Sequence, residues 1–495
     1  MENKLKYRWV AWLVLGICVA GCSTDRAPVE SVAGPLNVDT LSATGEWNTV
    51  WKSDILSPGK YYEVEIPYRI FELGDDAYLY SVVVPDHDSD HTLASVRWRS
   101  GHLDTQRFSF YIPGNETNCR VVLGVRNKGR AVLDDVIIRE LPLIDPGATE
   151  YVESPGYEPY GVCTHFIRWS IWGPEAGFTD EQVRESIKQL AEAGVQWIRV
   201  DAQWVIVEEK EGIYDERLLR RIDRIIEWAH QGGIQVYLQL GGQPQWASTH
   251  PDEPDFWAYG TRRMPEFRDY LNYVTQRYKG RVRYWEVGNE PDWIFWKDPL
   301  GEYVDYLKIS SEIIRAADAG NQVVLGGLAF DGTHVWSPQK GAEEDALRRM
   351  YEMGIQSCFD VLSAHFYPLK AHNSLYEAVA AINQICSVMN EFGDVDKPIW
   401  LTESGYSSAR DSEKGLEHQS NYLKALYTDI IAHPRIEKIF WYNYRCKHDE
   451  GEYENNFGLI NNDFSSRPAF QTLEDLGKHR LRPVNNTMLP DHVGR

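Results

Sequence analysis

The sequence predicts an α/β chain whose larger part is a (β/α)8 barrel, preceded by a small all-β, jelly-roll-like sandwich. Three observations carry this. Short apolar runs alternate with amphipathic helical segments eight times over about 320 residues, the count and size that such a barrel needs. Ahead of them, residues 37–147 hold short strands separated by turn-rich pieces, with no helical period between them. A doubly wound open sheet, the competing fold, would carry a glycine-rich phosphate turn after its first strand, and none is present.

The elements follow in order. Residues 1–21 read as an export signal: Lys4, Lys6 and Arg8 form a basic start, and residues 9–19 an apolar run too short to span a bilayer. The run ends in Val19-Ala20-Gly21-Cys22, followed by Ser23-Thr24-Asp25. These residues resemble the bacterial lipoprotein signal, which implies lipidation of Cys22 and, with Ser23 next, an outer-membrane or cell-surface location. Residues 22–36, with Pro28 and Pro35, are expected to be a tether.

Strands are expected at 61–66, 77–84, 93–99, 107–112, 120–126 and 132–139. Ser57-Pro58-Gly59, Pro113-Gly114-Asn115 and Asn127-Lys128-Gly129 punctuate them. The closing Ala131-Val132-Leu133-Asp134-Asp135-Val136 resembles the last strand of jelly-roll carbohydrate-binding modules. Trp47, Trp51, Tyr62 and Trp98 are candidates to stack on sugar there. The barrel is placed at 158–478, leaving 479–495 as a tail. Its strands are expected at 160–164, 196–200, 234–240, 282–287, 323–328, 359–364, 398–402 and 436–441. Thr179 with Gln182 makes a capping box for the first helix, and Asp215 caps the second. Further helices are expected near 264–278, 302–318, 343–353, 373–391, 416–432 and 467–477.

Composition narrows the partners. The formal charge is −22, and losing the leader makes the chain more acidic still. Such a surface repels nucleic acid and anionic lipid, so membrane contact is expected only through the anchor. The 18 Trp and 28 Tyr suit a protein that stacks on sugar rings, although many must be core. Of the seven cysteines, Cys119, Cys163, Cys358, Cys386 and Cys446 lie beyond the leader and anchor, without metal-type spacing. No metal or organic cofactor is implied; the sandwich leaves room for a structural Ca2+.

A barrel of this kind carries its chemistry at the C-terminal ends of its strands. The fourth strand ends in Asn289-Glu290-Pro291 and the seventh in Glu403-Ser404-Gly405. One glutamate at a strand end is an ordinary ion-pair partner. Two at matching ends of opposed strands are the pair that glycoside hydrolysis needs, one carboxyl protonated and one ionised. Each charge also raises the other's pKa.

Asn289-Glu290-Pro291 after strand four, with Glu403 after strand seven, resembles clan A of the glycoside hydrolases. The resemblance implies a retaining O-glycosidase with Glu290 as acid/base and Glu403 as nucleophile. It further implies that Arg199 lies beside the nucleophile, that Asn289 binds a sugar hydroxyl, that His365 and Tyr367 join the site, and that Trp441 stacks under the sugar. His165 and Trp296 are further candidates, and Trp204, Trp246, Trp257 and Trp293 lie in loops at the same mouth. Gly288-Asn289-Glu290-Pro291-Asp292 and Thr402-Glu403-Ser404-Gly405-Tyr406 resemble family 39 and the cellulase-like family 5. Ser404 stands where family 39 xylosidases commonly have Trp. The expectation is therefore an endo-acting enzyme on a β-linked polysaccharide. A glycan-binding lipoprotein without hydrolysis and a transglycosidase are the alternatives.

Overall fold

A computed structural model describes residues 30–31, 36–40, 47–58, 60–74, 77–85, 94–98, 105–112, 117–141, 150–154, 156–167, 177–330, 346–367, 375–411, 413–447 and 453–484. The export signal, Cys22 and most of the tether lie outside these residues.

Ten strands build the N-terminal sandwich: β1 (Glu30–Ser31), β2 (Leu36–Thr40), β3 (Trp47–Lys52), β4 (Lys60–Leu73), β5 (Tyr78–Pro85), β6 (Ala94–Trp98), β7 (Thr105–Ile112), β8 (Cys119–Arg126), β9 (Gly129–Leu133) and β10 (Ile137–Leu141). One antiparallel sheet runs β1-β10-β4-β9-β2, with β7 also on β4, and the other runs β3-β8-β5-β6. Alternation along β8 turns Cys119, Val121, Leu123 and Val125 into the core, against Tyr62, Val64 and Ile66 of β4. The single strand expected over 132–139 is two strands, because Asp135 takes a left-handed φ of 37° and breaks the ladder. Tyr62 is core rather than a sugar platform: its ring stacks on Phe110 and its hydroxyl donates to the Ser57 carbonyl. Trp51 is half-buried against the same core. The side chains of Trp47 and Trp98 lie outside the described set.

The barrel strands are β12 (Tyr160–Cys163), β13 (Trp197–Asp201), β14 (Gln235–Leu240), β15 (Tyr284–Val287), β16 (Gln322–Leu325), β17 (Leu328–Phe330), β18 (Leu362–Phe366), β19 (Ile399–Ser404) and β20 (Ile436–Trp441). All pair in parallel, in the order β16-β15-β14-β13-β12-β20-β19-β18-β17. The fifth barrel strand is broken in two. Its first half pairs with β15, its second with β18, and a parallel bridge from Val324 to Val361 closes the ring. The break falls at Gly326-Gly327 because neither position has room for a side chain. A Cβ on Gly326 would meet the Val287 carbonyl at 2.5 Å, and one on Gly327 would meet the His365 ring at 2.0 Å.

Helices α1 (Asp180–Glu192), α2 (Trp204–Val207), α3 (Glu216–Gln231), α4 (Met264–Arg277), α5 (Leu300–Ala317), α6 (Ala346–Glu352), α7 (Leu375–Glu391), α8 (Gly415–Thr428) and α9 (Pro468–His479) surround it. The local signals act as expected: Thr179 and Gln182 close a reciprocal capping box, and Asp215 accepts from the Arg217 and Leu218 amides. Helix α3 buries Leu218, Leu219, Ile222, Ile225 and Ile226 against the barrel. Each such side chain stabilises by about 1.5–3 kcal/mol.

Residue 479 does not begin a free tail. Strand β21 (Leu481–Val484) pairs antiparallel with β11 (Glu150–Glu153), tying the two flanks of the barrel together. Cys119, Cys163, Cys358, Cys386 and Cys446 are all buried, unbridged thiols. Among the described residues no helix is long and apolar enough to cross a membrane.

Candidate active site

Strand alternation sorts the barrel interior into layers. Trp197, Tyr237, Tyr284, Trp400 and Phe440 plug the lower interior with rings. Two residues further along the same strands, polar groups replace them: Arg199 on β13, Gln239 on β14, Glu286 on β15, Thr402 on β19. The intervening residues Ile198, Leu238, Trp285 and Leu401 face the helices.

Glu403 reaches the interior through an irregularity. Across β18 and β19, Ala364 pairs with Leu401, but His365 pairs with Glu403. Thr402 is therefore an extra residue, and the register to β20 shifts over the same stretch. The bulge lets Thr402 and Glu403, adjacent in the chain, both face inward. The Thr402 hydroxyl approaches Glu286 Oε1 at 3.5 Å, while Glu403 meets Arg199.

Arg199 is buried and spreads its fork over three acceptors. Nε donates to Glu286 Oε2 at 2.6 Å, Nη1 to Glu403 Oε1, and Nη2 to Asn289 Oδ1 at 2.7 Å. A planar guanidinium can make all three bonds at once and a lysine cannot. The Tyr367 hydroxyl donates to the other Glu403 oxygen at 2.8 Å. Burial alone would raise the Glu403 pKa. The charges of His365, Arg199 and His165 and the Tyr367 hydrogen bond outweigh it and hold Glu403 well below the usual carboxylate range.

Glu290 has the opposite setting. Burial pushes its pKa up, with the Glu403 charge adding to it, and the hydrogen bond from His365 only partly offsets this. His365 Nδ1 lies 2.8 Å from Glu290 Oε1 and 3.7 Å from Glu403 Oε2. Burial lowers the His365 pKa, but the two carboxylates prevail and raise it. With Nδ1–H donated to Oε1, Oε2 of Glu290 is left to carry a proton. Glu290 itself sits at φ 41°, its amide donating to the Gly327 carbonyl at 2.8 Å. Asp292 completes this docking: its Oδ1 accepts the Ala329 amide at 3.0 Å, and burial raises its pKa. The broken fifth strand is thus the ledge on which the Glu290 loop rests.

A ligand oxygen of Glu290, one of Glu403 and a His365 nitrogen all lie within 4.8 Å of one another. By distance alone they would span a small cation. Arg199 already supplies the positive charge to Glu403, however, and Glu290 is pushed toward its neutral form, so the donor set does not favour a metal. Among the described residues this is the one such grouping, and none falls in the sandwich.

The remaining candidates divide. Asn289, Glu290, Trp296, His365, Tyr367 and Glu403 line one cavity of about 870 Å3 at the barrel mouth. His165 stands beside it, its Nδ1 3.2 Å from Asp201 Oδ2 and its ring edge-on to Tyr442. Trp257 and Trp293 also line the cavity, whereas Trp204 is core and Trp246 packs half-buried against its ring. Trp441 is a correction. It is fully buried facing the helices, its indole N–H bonded to the Phe457 carbonyl and its ring against Tyr422. The next residue, Tyr442, takes the inward position and lines the cavity. Sequence reasoning also assigned no role to Glu286. Its signal was there: a charged residue inside the apolar run Tyr284-Trp285-Glu286-Val287, on the inward alternation.

The family model Cellulase (glycosyl hydrolase family 5) matches residues 152–446. The "Mannan endo-1,4-beta-mannosidase 2" of Oryza sativa is 24% identical over 278 residues, 48% of this chain, and the chain spans only 60% of that protein's length. The "Endo-1,4-beta-xylanase C" of Paenibacillus barcinonensis is 24% identical over 132 residues, 22% of this chain and 12% of that protein. A family 39 glycoside hydrolase from Bacteroides cellulosilyticus WH2 shares the fold at TM-score 0.50 and 19% identity, covering 83% of this chain and 80% of that one. The GH39 enzyme of Xanthomonas axonopodis pv. citri does so at TM-score 0.51 and 18% identity, over 66% and 67%.

Proposed function

This chain belongs to the cellulase family, glycosyl hydrolase family 5, and we propose that it is a retaining β-glycosidase acting through Glu290 and Glu403. One observation carries the reading: two buried carboxyls whose oxygens approach within 4.8 Å, one driven toward its ionised form and the other toward its protonated form. Retaining enzymes hold this pair about 5–5.5 Å apart, while inverting ones need about 6.5–9.5 Å to admit water.

In the first step Glu403 attacks the anomeric carbon as Glu290 gives its proton to the departing glycosidic oxygen. This forms a glycosyl ester on Glu403 and releases the leaving-group alcohol. In the second step Glu290, now ionised, takes a proton from water, and the resulting hydroxide displaces Glu403. Arg199 and Tyr367 steady the carboxylate in its free form, and Asn289, fixed by Arg199, presents its amide toward a sugar hydroxyl.

The substrate we propose is a β-linked polysaccharide cut internally. The cavity lies near the upper end of the roughly 300–1,000 Å3 usual for small-molecule sites, and two relatives carry endo-acting names. Export and lipidation at Cys22 belong to the same proposal, since an anchored enzyme meets polymers at the cell surface.

The test is turnover of aryl β-glycosides and β-linked polysaccharides, with the product anomer followed by NMR. Hydrolysis with retention, abolished in Glu403→Ala, is expected. Adding azide to Glu403→Ala should give the α-glycosyl azide, and adding it to Glu290→Ala the β-anomer. Inverted product overturns the nucleophile assignment, and glycan binding without turnover overturns the enzyme reading.

A further inference from the structure

The turn after β14 delivers a side chain that the two-carboxyl chemistry does not use. Gly241 and Gly242 take φ of 130° and 64°, which residues with a Cβ rarely adopt. Space is also tight: a Cβ on Gly241 would come 3.1 Å from the Gly288 backbone, and one on Gly242 3.2 Å from the Val205 side chain. This tight turn packs on the strand end that leads to Glu290, and it presents Gln243.

Gln243 is only 1% exposed, it lines the cavity, and its side-chain Oε1 has no hydrogen-bond partner. Turning the amide over would leave its nitrogen in the same position, so one polar atom is unpaired either way. A buried amide atom without a partner costs about 1–3 kcal/mol. The backbone around it is well tied, with the Gln243 amide donating to the Trp257 carbonyl at 3.2 Å. Trp257 in turn packs on Phe295 at 5.4 Å, and both rings line the cavity. Phe295 follows Glu290 by five residues on the loop that leaves β15, and both line this cavity, so the wall and the group that donates the proton share a loop.

We propose that Gln243, with the Trp257 and Phe295 rings, forms a binding site for a sugar residue on the leaving-group side of the scissile bond. The inference rests on the glycosidase reading above and names the residues that hold the leaving sugar. An apolar aglycone would need only the rings and would leave the amide unpaired. A pyranose offers both an apolar C–H face for the rings and hydroxyls for the amide, which can accept and donate at once.

The experiment compares kcat/KM of wild type and Gln243→Leu on β-1,4-linked gluco-, manno- and xylo-oligosaccharides and on the 4-nitrophenyl β-glycosides of the same sugars. The oligosaccharides leave as sugars, and nitrophenol brings no hydroxyls to the amide. A loss of about ten- to hundredfold is expected on the oligosaccharide, against about threefold or less on the aryl glycoside. The ratio of the two rates therefore narrows. Equal losses on both substrates, or none on either, overturn the proposal, as does a wild type that cleaves aryl glycosides but no oligosaccharide. A wild type inactive on every β-glycoside overturns the glycosidase reading and this inference with it. Should Gln243→Leu fail to fold, Gln243→Met, which keeps the length and volume without either hydrogen-bonding atom, carries the same comparison.

Discussion

Thr402 and Glu403 are consecutive on one strand, yet both side chains face the barrel interior, Thr402 toward Glu286 and Glu403 toward Arg199. Regular alternation would send Glu403 out among the helices, where Leu401 points. The extra residue in β19 is what turns it in. Deleting Thr402 restores the two-residue period with Glu403 still inward, but draws its carboxylate back along the strand by one residue rise, roughly 3.3 Å, off Arg199 and Tyr367. The expected result is an activity loss as large as that of Glu403→Ala with the far-UV CD spectrum retained. Substantial turnover in the deletion variant would show that the bulge does not aim the carboxylate.

The acid limb of the pH profile should follow Glu403. The enzyme needs this group ionised, so activity is present above its pKa and lost as pH falls through it. Because that pKa is depressed, the limb should lie below the ordinary glutamate range. Tyr367→Phe removes one hydrogen bond to the carboxylate and should move the limb upward at a stability cost of about 0.5–1.5 kcal/mol. Arg199→Met should move it further and cost about 3–5 kcal/mol, since it leaves Glu286 buried without its counter-charge. Measurements of kcat/KM against pH and of thermal unfolding separate the two.

The alkaline limb should follow Glu290, which must hold a proton. Its raised pKa keeps that proton to higher pH than an ordinary glutamate, and activity falls as pH rises through it. His365 partly offsets the rise by donating to Oε1. In His365→Ala the Glu290 pKa should climb, so the alkaline limb moves up even as the maximal rate falls. A limb that stays in place in this variant assigns the titration to another group.

Much of this site was legible in the chain because its signals are local. Asn289-Glu290-Pro291 and Glu403-Ser404-Gly405 sit at strand ends that the alternation of strand and helix marks out, and Thr179 and Asp215 announce helices through their caps. What escaped depends on register or on distant partners. The bulge at Thr402 leaves no mark in composition. The broken fifth strand reads as one apolar run, and its break is set by the His365 ring, contributed by another strand. Glu286 matters only once Arg199 lies against it. Gln243 looks like an ordinary loop residue until the two glycines before it place it on the cavity wall.

Cys22 yields a prediction independent of the barrel. If the leader is a lipoprotein signal, the full chain expressed in a bacterium partitions into the detergent phase and incorporates labelled fatty acid, and Cys22→Ser does neither. An aqueous, unlabelled wild-type protein would rule out the anchor while leaving the glycosidase reading intact.

Trp441 and Tyr442 are adjacent aromatics with opposite surroundings, and their alanine variants should fail in different ways. The Trp441 ring is enclosed between the barrel and the helices, so Trp441→Ala removes a large core side chain. It should cost about 3–5 kcal/mol of stability. Any fraction still folded should bind substrate with nearly the wild-type KM. Tyr442 belongs to the cavity wall: its ring meets Tyr367 edge-on, and its hydroxyl accepts from Lys447 Nζ at 2.7 Å. Tyr442→Ala opens that wall next to the phenol bonded to Glu403, so kcat/KM should fall more steeply than stability. Thermal unfolding and steady-state kinetics on both variants decide the matter. A Trp441→Ala variant that unfolds like wild type but has lost sugar binding would restore Trp441 as the stacking residue and refute the inward assignment of Tyr442.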